Sequence, residues 1–336
     1  MIEADQVRDD AWIRAEEPSS VGAVRRLAID LAKTAGFGDE RVGQVAVAVT
    51  EAVSNLVKHA VQGVALVRPC PGAPEVVELI TLDRGPGMPD VARALRDGYS
   101  TSGTLGIGLG AITRMASSYD VHSLPGRGTL LAVQFAAKGT IEPPPASGFV
   151  RPIGEEVISG DAFAVSSGEQ ALTVLVFDGL GHGPAAAHAS RKAVELFLEG
   201  PDDEPLAILR RLHDGLAHTR GGAAAVARVT SARVSYAGLG NISGWIAHAD
   251  DRQGMVSVPG ITGHQRRRLR QYEYDLDEHA TVVLHSDGLT DRWSPATMPG
   301  LFSRSPAVIA AGLLREAGSR RDDACVVIVR PRRDRA

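Results

Sequence analysis

Four acidic motifs in the C-terminal half of the chain carry residue types suited to chemistry: Ser159-Gly160-Asp161, Asp178-Gly179-Leu180-Gly181-His182-Gly183, Ser286-Asp287-Gly288 and Asp322-Asp323. Each adjoins an apolar run that reads as a strand. A carboxylate at a strand end is anchored by the sheet yet points out of it. Several such ends meeting would form an oxygen-rich pocket for hard divalent cations. Asp-Gly alone is an ordinary turn. A turn rarely needs three glycines and a histidine directly after a buried strand, so the second motif asks for more.

A second constellation lies in the N-terminal half. A helix over Glu40 to Val61 turns about 100° per residue, which brings Glu51, Asn55 and Lys58 together opposite the stripe Val42, Val45, Ala46, Val49, Val53, Leu56 and Ala60. Taken alone this is equally a solvated polar face. Downstream, Asp83-Arg84-Gly85-Pro86-Gly87-Met88 closes an apolar strand. Gly106-Ile107-Gly108-Leu109-Gly110 then opens a helix. Glycines let backbone N–H groups approach phosphate oxygens, and a helix N-terminus favours negative charge. The ordered set points to a nucleotide.

The elements expected to carry these residues fall into two groups. Ser20 to Ala35 reads as an amphipathic helix, Val76 to Leu82 as a strand, Leu109 to Ser117 as a helix and Thr129 to Phe135 as a strand. Helices on one side of few strands suggest an α/β sandwich. The second half is richer in strands: Val157 to Val165, Leu172 to Phe177, Ala223 to Val229, Ala232 to Gly238, Thr281 to His285 and Cys325 to Val329. Helical patterns at Pro184 to Leu198 and Leu206 to His218 interrupt them, which suggests a β-sandwich flanked by helices. Between the halves, AAKGTIEPPPASG includes Pro143 to Pro145, which exclude helix and central strand. The chain therefore reads as an α+β protein of two domains, 1–136 and 149–331, joined by a linker at 137–148.

Residues from about 15 to 136 resemble the GHKL (Bergerat-type) ATPase fold, specifically anti-sigma serine kinases of the RsbT and RsbW kind, through TEAVSNLVKHA, DRGPGM, GYSTSGTLGIGLGA and PGRGT. That resemblance implies ATP with magnesium held at Asn55, and Glu51 as the base of a serine kinase. It implies that Asp83 accepts the adenine amino group with support from Thr129. Gly85, Gly87, Gly106, Gly108 and Gly110 would shape the pocket, under a short lid at Pro89 to Thr104.

Residues 148 to 331 resemble the PPM superfamily of metal-dependent serine/threonine phosphatases, in the SpoIIE and RsbX branch, which also accounts for PAAAHASRKAVELF and YAGLGN. The resemblance implies two manganese or magnesium ions on Asp161, Asp178, Asp287 and Asp322, with Asp178 bridging and the Gly179 carbonyl as a further ligand. Asp322 is favoured over Asp323 because the family pattern places its ligand first in the pair. His182 either protonates the departing serine or braces the turn. Where the family has threonine two residues after its late acidic motif, Ala324-Cys325 stand here. The stretch Asp250 to Gln271 reads as a variable, substrate-facing loop.

At 336 residues, with 44% hydrophobic and 23% charged, the composition is that of a globular protein. The net charge of −4 gives no electrostatic reason for a nucleic-acid partner. Cys70 and Cys325 are too few and too far apart for a disulfide framework, and no apolar run of membrane-spanning length occurs. The expected setting is the cytoplasm. Opposed kinase-like and phosphatase halves imply a switch. The resemblance points to phosphoserine STAS-domain anti-sigma-factor antagonists as its targets. The alternative is a non-catalytic, ATP-responsive module that sequesters a regulator.

Overall fold

The computed structural model describes residues 10–95, 108–154, 156–264, 268–319 and 321–331. It divides into two compact units, Ala11–Pro144 and Pro145–Ala336, with Asp10 belonging to the second.

The first unit runs β1 (Ile13–Arg14), α1 (Pro18–Thr34), α2 (Asp39–His59), β2 (Val64–Cys70), β3 (Ala73–Leu82), α3 (Val91–Ala94), α4 (Gly108–Met115), β4 (Ser118–Ser123) and β5 (Thr129–Phe135). Its strands form an antiparallel sheet in the order β1-β2-β3-β5-β4. Pro18 opens α1 where a missing N–H is harmless. Asp39 and Glu40 begin α2, and Lys58 and His59 end it, each matching the helix dipole. Period-two alternation puts Val77 and Leu79 of β3 and Leu131, Val133 and Phe135 of β5 against Val45, Val49, Val53 and Leu56 of α2. Along the other face, Arg68, Glu78 and Gln134 hold neighbouring registers. Arg68 donates to Glu78 Oε2 at 3.0 Å and Gln134 Nε2 to Oε1 at 2.9 Å, so the buried carboxylate is satisfied at both oxygens.

The second unit runs β6 (Ala146–Arg151), β7 (Asp161–Ser167), β8 (Leu172–Gly179), α5 (Pro184–Leu198), α6 (Pro205–Gly215), β9 (Gly222–Val229), β10 (Arg233–Leu239), β11 (Ser243–Ala247), β12 (Arg252–Met255), β13 (Tyr272–Asp275), β14 (Thr281–His285), α7 (Pro306–Ala317) and β15 (Ala324–Val329). Two antiparallel five-stranded sheets, β13-β10-β9-β8-β7 and β12-β11-β14-β15-β6, face each other. Alternation along β8 divides the core: Val174 and Val176 point into the sandwich with Val282, Leu284, Cys325 and Val327. Leu175 and Phe177 pack outward under α5 and α6 with Phe197, Leu209 and Leu212. Helix α7 covers the outside of the other sheet along β6 and β15.

Two expected spans need correction. The strand expected over Val157 to Val165 begins only at Asp161, because Ser159 Oγ accepts the Asp161 N–H at 3.0 Å and turns the chain there. The expected linker reaches too far, since Ala146, Ser147 and Gly148 already pair with Val329, Ile328 and Val327 of β15.

Candidate active and nucleotide sites

In the second unit, antiparallel register sets Asp161, the first residue of β7, directly opposite Asp178 near the end of β8. Asp287 follows β14 and Asp322 precedes β15, the neighbouring strands of the facing sheet. These four carboxylates, with Asp323 beside Asp322, thus gather at one end of the sandwich and sense one another. Burial and then repulsion from Asp178 push Asp161 well above the usual carboxylate range. Burial, with repulsion from Asp287 and Asp322, pushes Asp178 up to about 7. Burial and Asp322 also raise Asp287, against a hydrogen bond from Asn241 Nδ2 to its Oδ2 at 2.7 Å.

An all-oxygen, over-charged donor set suits a hard divalent cation. Among the described residues, however, no three His, Cys, Asp or Glu side chains close on one point tightly enough to grip an ion as they stand. The reason is visible in their present partners. Asp287 is turned to Asn241. Asp161 accepts from Ser286 Oγ at 2.6 Å. The donor chemistry fits cations, and side-chain rotation would have to close the cage.

The acidic pair separates by role. Asp323 is buried, and its two oxygens accept the backbone N–H groups of Ile153 at 2.7 Å and Gly160 at 2.6 Å. Its neighbour Asp322 is exposed and lies within repulsive range of Asp178 and Asp287. Gly179 is pinned by its N–H to Gly160 O at 3.0 Å, and a Cβ there would sit 2.7 Å from Ala186 O. His182 is exposed and pairs with Glu156 at 3.0 Å.

Several residues of this site make contacts that no sequence motif announces. Ser286 Oγ, besides donating to Asp161, accepts the Cys325 N–H at 2.9 Å. Asn241 ends the YAGLGN stretch, whose turn-like character is legible although its reach to Asp287 is not. Arg252 of β12 lies between the rings of Trp245, 3.7 Å from its centroid, and Trp293, 4.2 Å away, and donates to the Asp291 carbonyl. Trp293 Nε1 in turn donates to His285 Nε2 at 3.3 Å. The loop bearing Asp287 is therefore clamped from the β12 side. That strand lies within Asp250 to Gln271, the stretch expected to be a substrate-facing loop.

In the first unit, Glu51 and Asn55 occupy successive turns of α2, half-buried. At about 1.5 Å per residue, Asn55 stands about 6 Å along the axis from His59, where the helix end meets the loop after β3. Arg84 N–H donates to Val61 O at 2.8 Å. Asp83 is buried, its carboxylate accepting from Gly85 N at 2.6 Å and Thr129 N at 3.1 Å. Gly87 has φ +66°, and a Cβ there would fall 2.1 Å from Leu124 O, so only glycine closes this loop. Gly108 starts α4 and Gly110 is buried within it. Gly106, together with residues 96–104 of the expected lid, lies outside the described residues. A buried carboxylate framed by glycines suits a purine amino group.

Residues 15–135 match the histidine kinase-like ATPase domain, and residues 168–332 match stage II sporulation protein E (SpoIIE). Over 124 residues the chain is 30% identical to serine/threonine-protein kinase RsbT of Bacillus subtilis (strain 168), an alignment covering 37% of this chain and 93% of that protein. The chain belongs to the RsbT family, with a SpoIIE domain joined behind it. A structure described as the bacterial stressosome, a modular system adapted to control secondary messenger signaling, is 27% identical to this RsbT–SpoIIE chain. It covers 55% of this chain and 98% of its own, at a TM-score of 0.51. RsbX in complex with magnesium is 18% identical, covering 55% and 94%, at a TM-score of 0.49. The SpoIIE-type half makes the chain a protein serine/threonine phosphatase. With an RsbT-type half beside it, the protein is a partner-switching regulator. Among the described residues no helix is long and apolar enough to cross a membrane.

Proposed function

We propose that the C-terminal domain hydrolyses a phosphoserine on a STAS-domain anti-sigma-factor antagonist, and that the N-terminal domain binds ATP and phosphorylates a partner of the same kind. The observation that carries the phosphatase reading is the gathering of Asp161, Asp178, Asp287 and Asp322 at one end of the sandwich, with burial and repulsion raising Asp161, Asp178 and Asp287 above the usual range. These four, with the Gly179 carbonyl, would hold manganese or magnesium. When bound, the ions would supply a water ionised near neutral pH and neutralise phosphate oxygens. Asp178, which interacts with Asp161, Asp287 and Asp322, is the residue this reading assigns to bridging. Asp323 orients Gly160 and Ile153 rather than serving as a ligand. His182, held by Glu156, is the proton donor this reading assigns to the departing serine.

In the N-terminal domain, Asp83 and Thr129 would receive the adenine, and Asn55 would hold magnesium on the phosphates. Glu51, one turn earlier, would take a serine hydroxyl proton. The test is incubation with a phosphorylated and an unphosphorylated STAS protein, with and without manganese and ATP, read by intact mass. Manganese-dependent loss of phosphate, abolished in Asp178→Asn, is expected. Hydrolysis that persists under full chelation would falsify the two-cation reading. ATP-dependent gain of phosphate, absent in Glu51→Gln, tests the kinase assignment.

A further inference from the structure

Three apolar side chains in the loops that carry Asp161 and Asp178 are left in water. Val157 is 82% exposed, Leu180 52% and Ile158 38%. Their positions are fixed by the site itself. Ile158 and Val157 lead into Ser159-Gly160-Asp161, and Leu180 follows Asp178-Gly179. The two loops pack tightly: a Cβ on Gly160 would lie 2.9 Å from Gly181 O, and one on Gly179 would lie 2.9 Å from Gly160 O. His182 Nδ1 and Glu156 bridge the same loops at 3.0 Å, and Leu180 N–H is held by Gly221 O at 3.0 Å. The exposed residues are thus presented on a braced frame.

An apolar edge beside a strongly acidic centre is mismatched to a small phosphomonoester, which would leave that edge wet. It matches a phosphoserine whose flanking residues are themselves apolar. We infer that Val157, Ile158 and Leu180 select protein substrates in which apolar side chains neighbour the phosphoserine. This rests on the phosphatase reading and names its substrate class.

The test compares two phosphoserine peptides that differ only in the flanking positions, leucine on both sides in one and serine in the other, with manganese present. The wild-type chain is expected to favour the leucine peptide about 10-fold or more in kcat/KM, in the range one apolar contact supplies. Val157→Ser/Leu180→Ser is expected to lose that preference by slowing on the leucine peptide alone. Val157→Ile should keep it. Equal rates for the two wild-type reactions, or an undiminished preference in the double variant, overturn this role of the edge. Self-association that the double variant abolishes would assign the edge to a second copy and also overturn it. Failure to hydrolyse either peptide removes the phosphatase reading itself, and is told apart by the absence of any rate to compare.

Discussion

Asp178 illustrates how a charge useful in a site burdens the fold that carries it. Its carboxyl is pushed up to about 7 by burial and by Asp287 and Asp322, against about 3.9 in an unfolded chain. Since the folded-state value is the higher one, the cost is absent below about pH 4, grows as pH rises and is complete above about 7. Cation-free protein should therefore melt lower at pH 8 than at pH 5. Asp178→Asn, measured in chelator at pH 8, should melt a few degrees higher than wild type, and with manganese supplied it should fail to hydrolyse. About 1 kcal/mol moves the midpoint of a domain this size by about 2–4 °C. The acidic pair offers a second contrast. Asp323→Ala strands the buried Gly160 N–H, at about 1–3 kcal/mol, and also frees the part-buried Ile153 N–H, so urea denaturation should show a clear loss of stability. Asp322→Asn should leave the denaturation midpoint nearly unchanged and remove activity.

At the scale of elements, the clamp on the Asp287 loop gives its own expectation. Arg252→Ala should raise the manganese concentration for half-maximal hydrolysis about 10-fold, the lower end of what an outer support of a metal site contributes. Arg252→Lys should not restore it, because a compact ammonium lacks the broad guanidinium that contacts both Trp245 and Trp293 and reaches the Asp291 carbonyl. Legibility of the elements follows the same physics. Helix α2 and strand β5 show in the sequence because one face is apolar and the other is not. Helix α7 is buried nearly all round, from Pro306 to Arg315, so no stripe marks it. Strand β2 hides behind Pro69, tolerated where the ladder slips between Pro69 and Cys70. The aspartates are legible because glycines and apolar runs mark their strand ends. Ser286, Asn241 and Arg252 are not, because their partners lie 125, 46 and 39 residues away along the chain.

At the scale of the molecule, the boundary between the halves matters practically. A truncated chain starting at Phe149 would lack Ala146, Ser147 and Gly148, half of the strand that closes the sheet under α7. It should be markedly less soluble than one starting at Thr140, by recovery after centrifugation. The four aspartates proposed to hold the ions are divided between the two sheets. Asp161 and Asp178 hang from one sheet, whereas Asp287 and Asp322 hang from the other. Where these sheets meet, the Ser286 hydroxyl ties Asp161 to the backbone of Cys325. An ion seated there would rivet one leaf of the sandwich to the other, so that parting them means expelling it. Deuterium uptake in the middle of β8 and β15, far from any solvent-facing loop, should accordingly slow when manganese is added.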